Sequence, residues 1–289
     1  VTVDDHPDGK TAKWVKGNLL KGQLQEPFFL GAGIFEPHLP NYAPQKYFDQ
    51  FPLEDIKLPD GFLENDLDDV PAAHAKMAHN PWLKRIRETG QWKPAIQAYL
   101  ACTAMVDDLV GEIVEALEKS KYADNTIVVL WSDHGFHLGE KDHIEKFALW
   151  EKANHVPFII AAPGVTKPGS RCEQPVDLTV LYPTLMELCR LDAKTKCDGP
   201  SAVPLLRDPD ALWPYPAIST YGKGNHAIRT KNWRYIRYAD GSEELYNHDY
   251  DPNEWTNLAK QPAMVPTLSK LRARIALGQA AEPVSNLRR

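Results

Sequence analysis

Residues 126–131 read Thr-Ile-Val-Val-Leu-Trp, β-branched or large and apolar without alternation. That pattern predicts a strand buried on both faces of a parallel sheet. Upstream, residues 91–120 set Ile96, Tyr99, Leu100, Thr103, Val106, Leu109, Val110, Ile113 and Leu117 at a period near 3.6, which predicts the longest helix. A shorter helix is expected in 10–24, with Ala12, Val15 and Leu19 on one face and Pro27 beyond its end. Residues 28–33 and 156–162 predict further buried strands, and 177–191 a helix with Asp177 as its N-cap. The alternation is that of an α/β fold with a mixed, mostly parallel sheet flanked by helices.

After Leu206 the texture changes. Residues 217–221, 226–230, 233–238 and 244–246 are short strand patterns separated by turn pairs such as Lys231-Asn232 and Asp240-Gly241, and a helix follows over 264–277. The chain therefore divides into an α/β portion, 1–206, and a small antiparallel-sheet subdomain with one helix, 207–289. Residues 35–90 are rich in Pro, Asp and Asn, and a loop of that length shapes a site or a lid. Its acidic stretch, 64–69, is expected to be a solvated surface.

With 289 residues, 43% hydrophobic and 25% charged, the chain has ordinary globular composition. The formal net charge of −6 gives no general attraction to nucleic acid or anionic lipid. No apolar run is long enough for a transmembrane helix, and the start, Val-Thr-Val-Asp-Asp, carries no signal-peptide pattern. None of the four cysteines has zinc-ribbon spacing. Cys189 and Cys197 are close enough in sequence to close a small loop in an oxidising compartment, and Cys102 falls in the long helix as a buried thiol.

Chemistry gathers directly after 126–131, in Ser132-Asp133-His134-Gly135. In open α/β sheets ligands bind outside the carboxyl ends of the strands, so Asp133 and His134 are placed to handle a metal or an anion. Gly135 is read as permitting a tight turn. An Asp oxygen suits a hard cation, whereas a His ligand is less typical of calcium and leaves magnesium or another ion open.

Ser-Asp-His-Gly, then Leu138-Gly139-Glu140 and Lys146, resembles the metal and sulfate segment of the sulfatases, in the alkaline-phosphatase-like superfamily. Supporting stretches are Pro27-Phe28-Phe29-Leu30 leading to Glu36-Pro37-His38-Leu39-Pro40; Tyr182-Pro183-Thr184-Leu185; and Glu244-Leu245-Tyr246 with Asp251-Pro252-Asn253-Glu254 and Asn257-Leu258. The similarity is to bacterial iduronate-2-sulfatase-like enzymes. It implies a sulfuric ester hydrolase acting on sulfated sugars, with the alkaline-phosphatase-like fold and a periplasmic or extracellular location. It implies Asp133 and His134 as ligands of Ca2+ (Mg2+ being the alternative), Lys146 as the sulfate-binding cation, and His38 at the sulfate or its leaving oxygen. His137, His226 and Arg229 are candidate substrate-binding residues, the last two in the subdomain beside the Gly222-Lys223-Gly224 turn. Trp150 is as well explained by core packing as by a pocket wall.

Sulfatases generate a formylglycine nucleophile from Cys or Ser followed by x-Pro/Ala-x-Arg. No cysteine or serine here meets that pattern: Cys102 has Ala104 but Val106, and Ser285 has Arg289 but Leu287. The family's Asp-Asp metal pair has no counterpart in the expected place either. The resemblance therefore implies a carboxyl-terminal portion of a sulfatase, with the formylglycine on a missing amino-terminal portion of the same enzyme. The alternatives are a phosphodiesterase or phosphonate hydrolase of the same superfamily, and a non-catalytic carbohydrate-binding pseudoenzyme.

Overall fold

The computed structural model describes residues 2–77, 81–192 and 196–277. They form two compact units: residues 2–58 with 82–127, and the described residues of 59–81 and 128–277.

In the first unit, helix Pro7–Leu20 packs on helix Trp92–Glu118. Pro7 stands at the helix start, where its missing N–H costs nothing, and His6 caps it by accepting Asp8 N on Nδ1 at 3.2 Å. The three- and four-residue spacing of Ala12, Val15 and Leu19 makes one apolar stripe. Ala12 packs with Tyr47, Ala101, Met105 and Leu109, and Val15 and Leu19 pack with Ala116 and Tyr122. Burial of each large side chain is worth about 1.5–3 kcal/mol. The strand expected over 28–33 does not form; Phe28 instead sets its ring edge-on to Tyr122, 5.1 Å between centroids, and Phe29 is exposed. An apolar run becomes a strand only with a ladder partner, and none pairs with it among the described residues.

Among the described residues the second unit carries eight short strands. β1 (Val128–Trp131) pairs antiparallel with β4 (Phe158–Ala161), Leu130 opposite Ile159. The parallel ladder expected here is thus corrected. A parallel return needs a crossover element, whereas the intervening chain is only the β2 (His137–Leu138) to β3 (Ile144–Glu145) hairpin and the single-turn helix Glu151–Asn154. β5 (Ala217–Thr220), β6 (His226–Arg229), β7 (Trp233–Arg237) and β8 (Glu243–Asn247) form the expected antiparallel sheet in sequential order.

Period-two alternation gives that sheet two different faces. Ile228, Tyr235 and Leu245 bury Leu268 and Leu271 of helix Val265–Leu277. The opposite face sets Ala227, Ile236 and Tyr246 against Ala148, Leu149, Trp150 and Ala153. The sheet therefore shares its core with the segment beyond Lys146, and the compact units divide elsewhere than at residue 206.

Candidate active site

The chain leaves β1 through Ser132, whose N–H donates to Pro157 O at 3.3 Å and whose hydroxyl donates to His134 O at 2.9 Å. His134 Nδ1 lies 2.8 Å from Gly135 O. A carbonyl only accepts, so this contact assigns the proton to Nδ1 and leaves the neutral ring's Nε2 as a lone pair. That Nε2 lies 3.7 Å from Asp133 Oδ2, and the Asp133 side chain is exposed. Gly135 is required for a different reason from the expected turn. Its N–H donates to Ala153 O at 2.9 Å, and a Cβ there would meet Lys152 O at 2.0 Å. The glycine lets the Asp-His pair lie directly against helix Glu151–Asn154.

A carboxylate oxygen and an imidazole nitrogen separated in this way accommodate one divalent ion at about 2.4 Å from each. Asp133 and His134 thus fit part of a calcium shell, which takes about six to eight donors in all.

From Gly139 the backbone runs through unusual conformations: φ is 135° at Gly139, 56° at Lys141, 45° at Asp142 and 75° at Glu145. Lys146 follows, half-buried, its carbonyl accepting Ala148 N at 2.7 Å and its ammonium 5.9 Å from the Phe147 ring. His137, expected to line a substrate pocket, is fully buried. Its Nδ1 pairs with Glu140 O at 3.1 Å, bracing the hairpin from within, and burial drives its pKa well down. Trp150 is likewise core.

Arg229 is also spoken for. Its Nε donates to Glu151 Oε2 at 3.2 Å, Nη1 to the carbonyls of Thr230 and Lys231, and Nη2 contacts His248 Nδ1 at 2.9 Å. Its donors are used inside the protein. His226 opens β6, between Thr220 of β5 and Arg237 of β7, its Nδ1 2.9 Å from Thr220 Oγ1, with burial and then Arg237 lowering its pKa. Glu151, His248 and Glu254 cluster closely enough to suggest a metal. However, Arg234 donates to both carboxylates, through Nε to Glu254 Oε1 at 2.8 Å and through Nη2 to Glu151, while Arg229 adds a second cation. The cluster is a neutralised ionic network.

Sequence reading missed Lys141 and Asp66. The acidic stretch 64–69 is not simply solvated: Asp66 is buried against Lys141 Nζ at 2.8 Å, and Asp69 Oδ2 accepts Asn257 N at 2.7 Å. The available signal was Leu67 beside Asp66, an apolar side chain that packs on the core.

His38 lies in the first unit, exposed, with Nδ1 2.6 Å from Leu39 O and its ring 4.8 Å from Phe35. Its loop is pinned by buried Asp8, which accepts Phe35 N at 2.9 Å and Glu36 N at 3.0 Å. Glu36 is buried beside Cys102; burial raises the pKa of both and pushes the thiol up to about 12.

Residues 4–191 match the family model described as Sulfatase, and 139–281 match that of the N-sulphoglucosamine sulphohydrolase C-terminal region. The chain belongs to the sulfatase family. A sulfatase from Formosa agariphila is 42% identical over 270 residues, covering 92% of this chain and 53% of that protein. Human iduronate 2-sulfatase is 31% identical over 216 residues, covering 61% of this chain and 38% of that protein. This sulfatase chain thus spans about half the length of the first of these relatives. Among solved structures, a phosphonate monoester hydrolase of Agrobacterium radiobacter superposes with a TM-score of 0.79 at 20% identity, covering 97% of this chain and 62% of that one. An enzyme in complex with its substrate D-glucosamine-2-N,6-O-disulfate gives 0.75 at 19% identity, covering 93% and 69%. These likenesses show the alkaline-phosphatase-like α/β fold.

Proposed function

We propose that these residues form the metal- and sulfate-binding portion of a sulfuric ester hydrolase acting on sulfated sugars, with iduronate-2-sulfatase-like specificity. The observation that carries this is the Asp133–His134 pair, a carboxylate oxygen and an imidazole lone pair 3.7 Å apart at the carboxyl end of β1. Asp133 and His134 would hold a calcium ion, magnesium being the alternative, which when bound polarises the sulfate oxygens. Lys146 sets a compact ammonium against the non-bridging oxygens, where charge is redistributed as the ester cleaves. By resemblance His38 contacts the sulfate or its leaving oxygen, and His226 meets the sugar. The formylglycine nucleophile has no residue in this sequence that fits it. Sequence relatives named as sulfatases support sulfate over phosphonate, although phosphonate hydrolases share the fold. No helix of the described residues is long and apolar enough to cross a membrane, and the family resemblance supports a periplasmic or extracellular setting.

The test is to assay the gene product containing these residues on 2-O-sulfated uronate disaccharides, other sulfated sugars and phosphonate monoesters, with calcium and after chelation. Calcium-dependent sulfate release is expected. Preferential phosphonate turnover, or full activity after complete metal removal, overturns the reading.

A further inference from the structure

Lys146 stands midway in a span whose two ends are held by one residue far downstream. At one end, Lys141 Nζ donates to the backbone carbonyl of Glu254. At the other, Glu151 N donates to the Glu254 carboxylate, Oε2, at 2.8 Å. Lys146 lies five positions from each. Glu254 presents both groups to the same segment because its own backbone is left-handed, φ 61°, in Asp251-Pro252-Asn253-Glu254.

The span needs holding. Lys141, Asp142 and Glu145 adopt left-handed backbone conformations that L side chains disfavour, so without anchors it would relax toward ordinary ones. Each anchor is reinforced, the first buried and the second part-buried. The Lys141 ammonium is also paired with Asp66 Oδ1 at 2.8 Å and lies 4.9 Å from the Tyr246 ring. Glu254 Oε1 is fixed by Arg234 Nε at 2.8 Å and His248 Nε2 at 3.0 Å, and Arg234 Nη1 donates to Leu149 O at 3.2 Å inside the same span. Burial pushes the Glu254 pKa up, but Arg234 and His248 outweigh it and keep the carboxylate ionised.

We propose that Glu254, acting through Lys141 and Glu151, is the positioning residue that sets Lys146 for the sulfate. Glu254 does not itself touch substrate. The inference rests on the reading of Lys146 given above.

A double-mutant cycle in the gene product containing these residues tests it. Glu254→Ala removes the Glu151 anchor and Lys141→Met removes the other. Each should lower kcat on a sulfated sugar at least tenfold while leaving calcium affinity, set by Asp133 and His134, within about twofold. Combined with Lys146→Ala, neither should lower kcat further, because the lysine they position is gone. Glu254→Gln, which still offers Glu151 N an acceptor, should recover most of the rate, and Lys141→Met, whose anchor is the Glu254 backbone carbonyl, carries the cycle if Glu254→Ala fails to fold. Losses that multiply in the double variants overturn the positioning role. If Lys146→Ala alone keeps its rate, the sulfate-binding assignment of Lys146 has failed instead, which the cycle separates from failure of the anchor.

Discussion

The indole Nε1 of Trp150 donates to Glu244 Oε2 at 2.7 Å, joining two buried side chains 94 positions apart. Tyr246 OH donates to the same oxygen at 2.5 Å, and Tyr238 OH to the other. Burial raises the Glu244 pKa, and the hydrogen bonds from Tyr238, Tyr246 and Trp150 pull it back. Trp150→Phe keeps an aromatic ring but removes one charge-assisted donor, and should cost about 1.5–3 kcal/mol. Glu244→Gln should cost more, because an amide NH2 would face a ring of donors. Urea denaturation checks both; a loss under about 0.5 kcal/mol for Trp150→Phe means the contact adds nothing net.

Acid should weaken the second unit before its carboxylates titrate. His74 is buried with its ring 3.8 Å from Trp150, and burial, then His143 and Lys141, drop its pKa to about 3. His137 is lowered in the same direction, chiefly by burial. Both bind a proton more readily unfolded, so stability is full above the ordinary histidine value of 6.5 and is lost as pH falls from there toward the depressed folded values. His74 should cost about 2 kcal/mol between pH 7 and pH 5. Glu151 acts later: burial raises it, but Arg234, Arg229 and His248 hold it down to about 2, so its contribution is lost only between the ordinary glutamate value of 4.5 and that value. Denaturation midpoints across pH 5 to 7 should flatten in His74→Phe. An unchanged slope removes His74 from the account.

The sequence made the C-terminal sheet and its helix legible because period-two and 3.6 patterns report which side is buried. It placed Asp133 and His134 together for the simpler reason that they are adjacent. It did not show strand sense, since residues 126–131 look the same whether β4 returns parallel or antiparallel. Nor did it show Asp66, whose partner Lys141 is 75 positions away, so that local acidity concealed a buried pair. Nor did it show the internal partners of His137 and Arg229, Glu140 O and the Glu151–His248 network, which are set by tertiary contacts.

Gly135→Ala should be poorly tolerated although the position needs no left-handed backbone. Its new methyl would overlap the Lys152 carbonyl, 2.0 Å away, and backbone cannot yield as a flexible side chain does. A loss of about 1–3 kcal/mol is expected from overpacking. The Asp-His pair rides on that contact, so calcium affinity should fall too. Denaturation and calorimetry on one variant check both; wild-type stability would mean the approach is looser than the structure has it.

The roles of Asp133 and Lys146 separate in a calcium titration. Asp133→Ala removes an oxygen ligand, so its defect is one of occupancy and should be partly rescued by excess calcium. Lys146→Ala removes a cation directed at sulfate oxygens, and no amount of calcium replaces it. Loss of one such oxyanion contact lowers kcat by about 10²–10³-fold. Measured on a sulfated sugar in the gene product containing these residues, kcat of Asp133→Ala should climb with calcium while kcat of Lys146→Ala stays low. Near-normal turnover by Lys146→Ala, or its rescue by calcium to the same degree, would leave Lys146 as an ordinary half-buried lysine. The sulfate oxygens would then have to be met by another cation.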